Sequence, residues 1–149
     1  MKDKDSGANQ DSKGHSNPQD RNRTPLPKYE LGVEVFFNAR HYVTSNAQKG
    51  ETHPHSWRVQ VKLAGDHLTD DGFLVGFQEA KQIVQSEADA LSDRLLNVSP
   101  PFDRKMPTTE NIASVFYHLV KTKLVGIPLT LVSVCVWESP TNYICYSYD

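Results

Sequence analysis

Two histidines two residues apart, His53 and His55 in ETHPHSW, are the first residues of this chain able to do metal chemistry. Residues at i and i+2 of a strand point to the same face, so the two imidazoles project together. Two ligands leave a metal site incomplete. A third candidate is His41, at the end of FFNARH. A hairpin joining the two segments brings His41 back beside His53 and His55. Three neutral imidazoles suit tetrahedral Zn2+ and leave one position open for water or a substrate oxygen. His15, His67 and His118 fall in a polar N-terminal stretch, a loop and a helix, and are read as ordinary histidines.

The elements that must position these rings follow from periodicity. YELGVEVFFNARHYV alternates and is rich in Val and Phe, which predicts a strand over 29–43. THPHSWRVQVKLAG continues at period two, as a second strand antiparallel to the first across the loop TSNAQKG. From Phe77 the spacing becomes three-to-four. Phe77, Ala80, Val84, Ala88, Leu91 and Leu95 predict an amphipathic helix of about 18 residues. The prolines of NVSPPFDRKMP mark a loop. TTENIASVFYHLVKTKL begins with cap-forming threonines and carries Ile112, Val115, Phe116 and Leu119 on one stripe, a second helix. LTLVSVCVWE reads as a third strand, SPTN as a turn and YICYSYD as a fourth strand. The order β-β-α-α-β-β predicts an α+β fold, a four-stranded antiparallel sheet with two helices on one face. So thin a domain is expected to bury its uncovered face or its edges in an oligomer.

Bulk composition narrows the function. At 149 residues the length prior is one domain. A formal charge of −2 lacks the basic excess of a nucleic-acid binder. No apolar run reaches the roughly 18 residues of a membrane span, and no apolar leader is visible at the N-terminus. Cys135 and Cys145 lack metal or redox spacing, so the expectation is a cytoplasmic protein with reduced thiols. Residues 1–28 have no aromatic side chain, and six basic residues there face four aspartates. That stretch is expected to be a disordered tail, solubilising or docking a protein partner, ahead of a domain spanning 29–149.

Phe37, Ala39 and His41, followed by the His53–His55 pair, resemble the 6-pyruvoyl-tetrahydropterin synthase and 6-carboxytetrahydropterin synthase family. The resemblance covers about residues 30–149. GFLVGFQEAK is similar to the family's entry into its first helix, PTTENIA to the start of its second, and VCVWES to the strand that ends in a pterin-anchoring glutamate. It implies a tunnelling fold, in which sheets of several subunits join into a barrel, as a homo-oligomer and often a hexamer. It implies zinc on His41, His53 and His55. It implies a pterin or guanine-like ring held by Glu138, with help from Thr108, Thr109 and Glu110.

The catalytic positions depart from the family pattern. Lys49 stands where the 6-carboxy branch has its cysteine base, and Glu51 is the glutamate near the histidines that matches another branch's base. In LSDRLLN, Ser92 and Asp93 replace the family's Asp-His relay, which leaves Asp93 as the candidate proton carrier. Gly76-Phe77 replaces the family's Asp-Phe, and Pro54 replaces the usual glycine between the histidines. Two functions fit. One is a zinc-dependent lyase acting on a compound like dihydroneopterin triphosphate, with Glu51 or Asp93 moving protons. The alternative is a binding module that senses a pterin or a guanine nucleotide, including a cyclic dinucleotide.

Overall fold

The computed structural model describes residues 28–148. Strand β1 (Tyr29–His41) buries alternate residues, Leu31, Val33, Val35, Phe37, Ala39 and His41. The chain then makes a small ribbon, β2 (Thr44–Ser45) and β3 (Gln48–Lys49). Asn46 and Ala47, at φ 50° and 61°, form its two-residue turn, where both central positions need the left-handed region. Strand β4 (His53–Gly65) runs antiparallel to β1, from Tyr29 opposite Gly65 to His41 opposite His53. Strands β5 (Thr130–Trp137) and β6 (Tyr143–Tyr146) complete a four-stranded antiparallel sheet in the order β1-β4-β5-β6.

Helices α1 (Phe77–Leu91) and α2 (Thr109–Lys123) cover one face of that sheet. The expected fold class is therefore the observed one. The core lies between, around Trp57, Phe37 and Phe116, with the Phe37 ring 6.2 Å from Trp57 and 5.8 Å from Phe116. Phe116 is fully buried, so Phe116→Ala will lower unfolding stability by about 3–5 kcal/mol, the lost transfer energy plus a residual cavity. Urea titration reads this as a lower midpoint at unchanged slope; a loss under about 1 kcal/mol would mean that the core collapses around the gap.

Three expectations for the helices need correction. Helix α1 ends at Leu91, short of Leu95, because Ser92 turns extended and Asp93 is left-handed at φ 60°. The released chain runs along the open edge of β1. Asp93 N–H donates to the Asn38 carbonyl at 2.6 Å, and Arg40 N–H to the Arg94 carbonyl at 2.9 Å. Edge strands carry unpaired backbone groups, and satisfying these outweighs one more helical turn. The buried stripe of α2 is Ile112, Ala113, Phe116, Tyr117 and Val120, while Leu119 is exposed. Both stripes obey the same period, and the sheet selects between them. Phe77 at the start of α1 is likewise exposed.

The cysteines are not free. Cys135 and Cys145 face each other in register on β5 and β6, and the structure joins them in a disulfide. The expectation of reduced thiols came from compartment and spacing, which carry no information on register. Of the expected tail, residues 1–28, residues 1–27 lie outside the described residues; β1 begins at Tyr29. Among the described residues, no helix is long and apolar enough to cross a membrane.

Candidate metal centre and ligand pocket

The β1–β4 register carries the three histidines to one end of the sheet. His41 sits opposite His53 and Ala39 opposite His55, so all three rings share the helix-covered face. One nitrogen from each lies within 4.8 Å of the others. Nitrogens on a tetrahedral zinc are about 3.3 Å apart, so the cluster is close to ligating geometry.

The outer nitrogens show which atoms are free to ligate. His41 Nδ1–H donates to the Pro107 carbonyl at 2.7 Å, and His53 Nδ1–H to the Glu51 carbonyl at 2.9 Å. His55 Nε2 is buried with no partner. A carbonyl only accepts, so the proton belongs on Nδ1 and Nε2 presents a lone pair. His41 Nε2 and His53 Nε2 then face each other at 3.0 Å with no hydrogen between them. Two facing lone pairs repel, and a cation placed among the three rings removes the conflict. Backbone carbonyls that orient ligand histidines in this way are a recurring feature of metal sites. Burial, opposed by the Pro107 bond, holds the His41 pKa below the ordinary imidazole range; burial, opposed by Glu138, does the same for His55. Both rings are thus biased to the neutral form that ligates. The residues fit a zinc ion.

The cluster has a closed side and an open side. His41 is buried against Trp57, whose ring lies 5.0 Å from both His41 and His55. His53 is exposed. Pro54 lies where β4 pairs with β1 alone, since pairing with β5 starts at Arg58. A residue without an N–H is tolerated at such a half-edge, and the faces of His53 and His55 are preserved.

Glu138 follows the last residue of β5 and is only half-buried. Thr109 Oγ1–H donates to its Oε2 at 2.6 Å, and its own N–H donates to the Asn142 carbonyl at 3.2 Å. Its charge raises the pKa of both His41 and His55, against the effect of burial. One cavity at this end of the sheet, of about 390 Å3, is lined by Glu138 with Phe36, Ser56, Arg58, Trp137, Ser139 and Pro140.

The helix start divides its labour. Thr108 caps α2, its hydroxyl accepting from Asn111 N–H at 3.3 Å, while Thr109 orients Glu138. Glu110 is exposed in the first turn, where a negative charge complements the helix dipole.

The other candidates are placed differently. Glu51 is exposed, and its backbone rather than its side chain contacts His53. Lys49 lies with its Nζ 4.1 Å over the Tyr42 ring. Asp93 lines a separate cavity of about 260 Å3 with Asn38, Ala39, Arg40 and Pro54. Within one chain, then, the histidines, Glu138 and Thr109 are gathered, while Asp93 stands at the outer edge of β1.

Sequence reasoning missed the Pro107 carbonyl, the Thr109–Glu138 bond and the Trp57 wall. Only the proline had a local signal, being the residue just before the two threonines.

A two-helix, four-stranded antiparallel fold with three histidines at one end of its sheet defines a pterin-synthase-like protein. The chain belongs to the 6-pyruvoyl tetrahydropterin synthase family, whose pattern matches residues 30–149. It is 33% identical over 126 residues to 6-carboxy-5,6,7,8-tetrahydropterin synthase of Bacillus subtilis (strain 168), covering 79% of this chain and 84% of that one. Its fold is similar to that of the Caenorhabditis elegans 6-pyruvoyl tetrahydropterin synthase, with TM-score 0.71 and 19% identity over 85% of this chain and all of that one. It is also similar to a Plasmodium vivax 6-pyruvoyltetrahydropterin synthase whose catalytic glutamate is mutated to alanine. That match has TM-score 0.68 and 18% identity over 83% of this chain and 99% of the other.

Proposed function

We propose that this protein is a zinc-dependent lyase acting on a reduced pterin such as dihydroneopterin triphosphate. The observation that carries the reading is the convergence of one ring nitrogen from each of three histidines within 4.8 Å, together with a carboxylate bonded by Thr109. His41, His53 and His55 would hold the metal. Zinc bound there would supply Lewis acidity, which would make protons on carbons next to the substrate's side-chain oxygens easier to remove. Glu138 accepts two N–H bonds from the 2-amino-pyrimidinone edge of the ring. Thr109 keeps that carboxylate in place, and Trp57 excludes water from the closed side.

Glu51 is the proton acceptor in this reading. A glutamate is the catalytic residue altered in the Plasmodium vivax protein, and Glu51 stands two residues before a metal-binding histidine. Its exposed side chain is free to swing toward substrate at the open side. Asp93, facing away from its own cluster, would serve a neighbouring subunit's site. The open edges β1 and β6 are where copies would join to close a barrel.

The test is turnover of dihydroneopterin triphosphate by zinc-loaded protein, with products read by mass spectrometry. A pyruvoyl, carboxy or hydroxymethyl pterin identifies the branch. Glu51→Gln will lower kcat by about 100-fold or more, within the range of general-base contributions, while zinc content stays unchanged. An unaltered rate would remove Glu51 from the mechanism.

The alternative, a sensor that binds a pterin or a guanine nucleotide without turning it over, is favoured by one observation. Lys49, at the position of the family cysteine, is occupied with Tyr42. Absence of product from folded, zinc-loaded protein that still binds pterin would select it.

A further inference from the structure

Two asparagines outside the site described above bracket His41. Strand β1 ends at that residue, and so does its ladder with β4, at His41 opposite His53. A backbone N–H and carbonyl that leave a sheet need new partners. For Tyr42, the next residue, the Asn97 side chain supplies both. Its Oδ1 accepts from Tyr42 N–H at 2.9 Å, and its Nδ2–H donates to the Tyr42 carbonyl at 2.9 Å. One carboxamide thus stands in for a peptide unit of a neighbouring strand. The partners also fix which end of the amide is oxygen, since an N–H must meet an acceptor and a carbonyl a donor. Asn97 is itself firmly carried. It lies in the single turn Leu96–Val98, where Ser99 N–H closes onto the Leu96 carbonyl at 2.8 Å and the Leu96 side chain is buried in the core.

Asn111 works from the other side of His41. Its Nδ2–H donates to the Met106 carbonyl at 2.8 Å, and its backbone N–H to Thr108 Oγ1 at 3.3 Å. Met106 and Thr108 flank Pro107, whose carbonyl orients the His41 ring. That carbonyl is thereby tied to the first turn of α2, a helix packed on the sheet. Met106 links the two asparagines, its Sδ lying 3.8 Å from Asn97 Nδ2. His41 is buried against Trp57, so a shift of its backbone carries the ring with it, because close packing leaves no room for a compensating side-chain rotation.

We propose that Asn97 and Asn111 are positioning residues of the metal centre: Asn97 fixes the backbone that carries His41, and Asn111 fixes the carbonyl that orients its ring. Neither is a ligand. The proposal rests on the reading of His41, His53 and His55 as a zinc site. Aspartate gives an isosteric test at both positions. In Asn97→Asp a carboxylate oxygen replaces Nδ2, so the Tyr42 carbonyl loses its donor and faces an acceptor; Asn111→Asp does the same to the Met106 carbonyl.

Zinc affinity of the full chain is measured by competition with a chromophoric chelator, for wild type and for the Asp and Ala variants at both positions. The d–d absorption of cobalt(II) bound in place of zinc and the melting of metal-free protein are recorded alongside. Val84→Ala, which truncates a buried residue in the middle of α1, reports what lost stability does by itself. Each asparagine variant is expected to bind zinc about 10- to 100-fold more weakly and to give an altered cobalt spectrum. Val84→Ala is expected to melt lower with wild-type zinc affinity and spectrum. Wild-type affinity and spectrum at either asparagine would overturn its role there and leave the zinc site standing. An equal loss of affinity in Val84→Ala would overturn both roles, since instability would then explain the effect. Should an Asp variant fail to fold, the Ala variant, which removes the bonds without opposing like atoms, decides for that position. A wild-type chain that binds neither zinc nor cobalt would remove the zinc reading, and the proposal with it.

Discussion

His53→Ala will yield a folded protein that has lost its zinc. In the proposed zinc site the exposed ring would supply one of three ligand nitrogens, and it contributes little to the core, so its removal would leave two ligands without loosening the sheet. Disturbing only the support of a metal ligand costs about 10- to 100-fold in affinity, and losing a ligand outright will exceed that range. Elemental analysis after dialysis against a weak chelator reads the loss, and activity falls with it. Near-wild-type thermal stability of the metal-free form is part of the expectation.

His41→Ala makes the contrast. That ring is buried, touches Trp57 and donates to Pro107, so its loss leaves a cavity and an unpaired carbonyl at about 2–4 kcal/mol in addition to releasing the metal. A His53→Ala protein that retains one zinc per chain would sink the metal assignment.

Glu138→Gln will separate ring binding from metal binding. Glutamine has nearly the same shape, but one oxygen becomes an NH2 group. The 2-amino-pyrimidinone edge offers two donors, and a donor facing a donor replaces a charge-assisted bond with repulsion. Pterin affinity is expected to fall by about 30-fold or more, which is roughly 2 kcal/mol. Zinc content should not change, because Glu138 acts on the cluster through its charge and supplies no ligand nitrogen. Glu138→Ala should lose at least about 10-fold, and it leaves Thr109 without its acceptor. Wild-type pterin affinity in both variants would place the ring elsewhere, with the aromatic cavity of Phe36 and Trp137 the next place to look.

Much of the positioning was legible in the chain because it is local. The period-two run from Tyr29 to His41 and the one from His53 to Gly65 predicted two strands, and the observed register places His41 opposite His53 as the hairpin required. The i, i+2 spacing of His53 and His55 put both rings on one face, because a pleated strand permits nothing else. The three-to-four spacing from Phe77 announced the first helix, though not its end at Leu91, and spacing with the cap-forming threonines announced the second.

Partners distant in the chain were not legible. The His41 ring is fixed by a carbonyl 66 residues away, and Thr109 meets Glu138 across 29 residues. Nothing in the residue types at those positions encodes which of many acceptors will be close. The same holds for Leu95, which continues the apolar period of α1 yet leaves the helix because the β1 edge offers its neighbours backbone partners.

By itself the sequence determined the β-β-α-α-β-β order, the face on which each strand is apolar, and the presence of three histidines able to share an ion. Each of these depends on side chains a few residues apart, where backbone geometry leaves few choices. The tertiary structure decided which nitrogen of each ring is free, which stripe of α2 is buried, where α1 stops, that Cys135 meets Cys145, and that Asp93 stands apart from the histidines. Those outcomes depend on register and on competition among buried polar groups for partners, and both are settled only when the whole sheet and its helices close together.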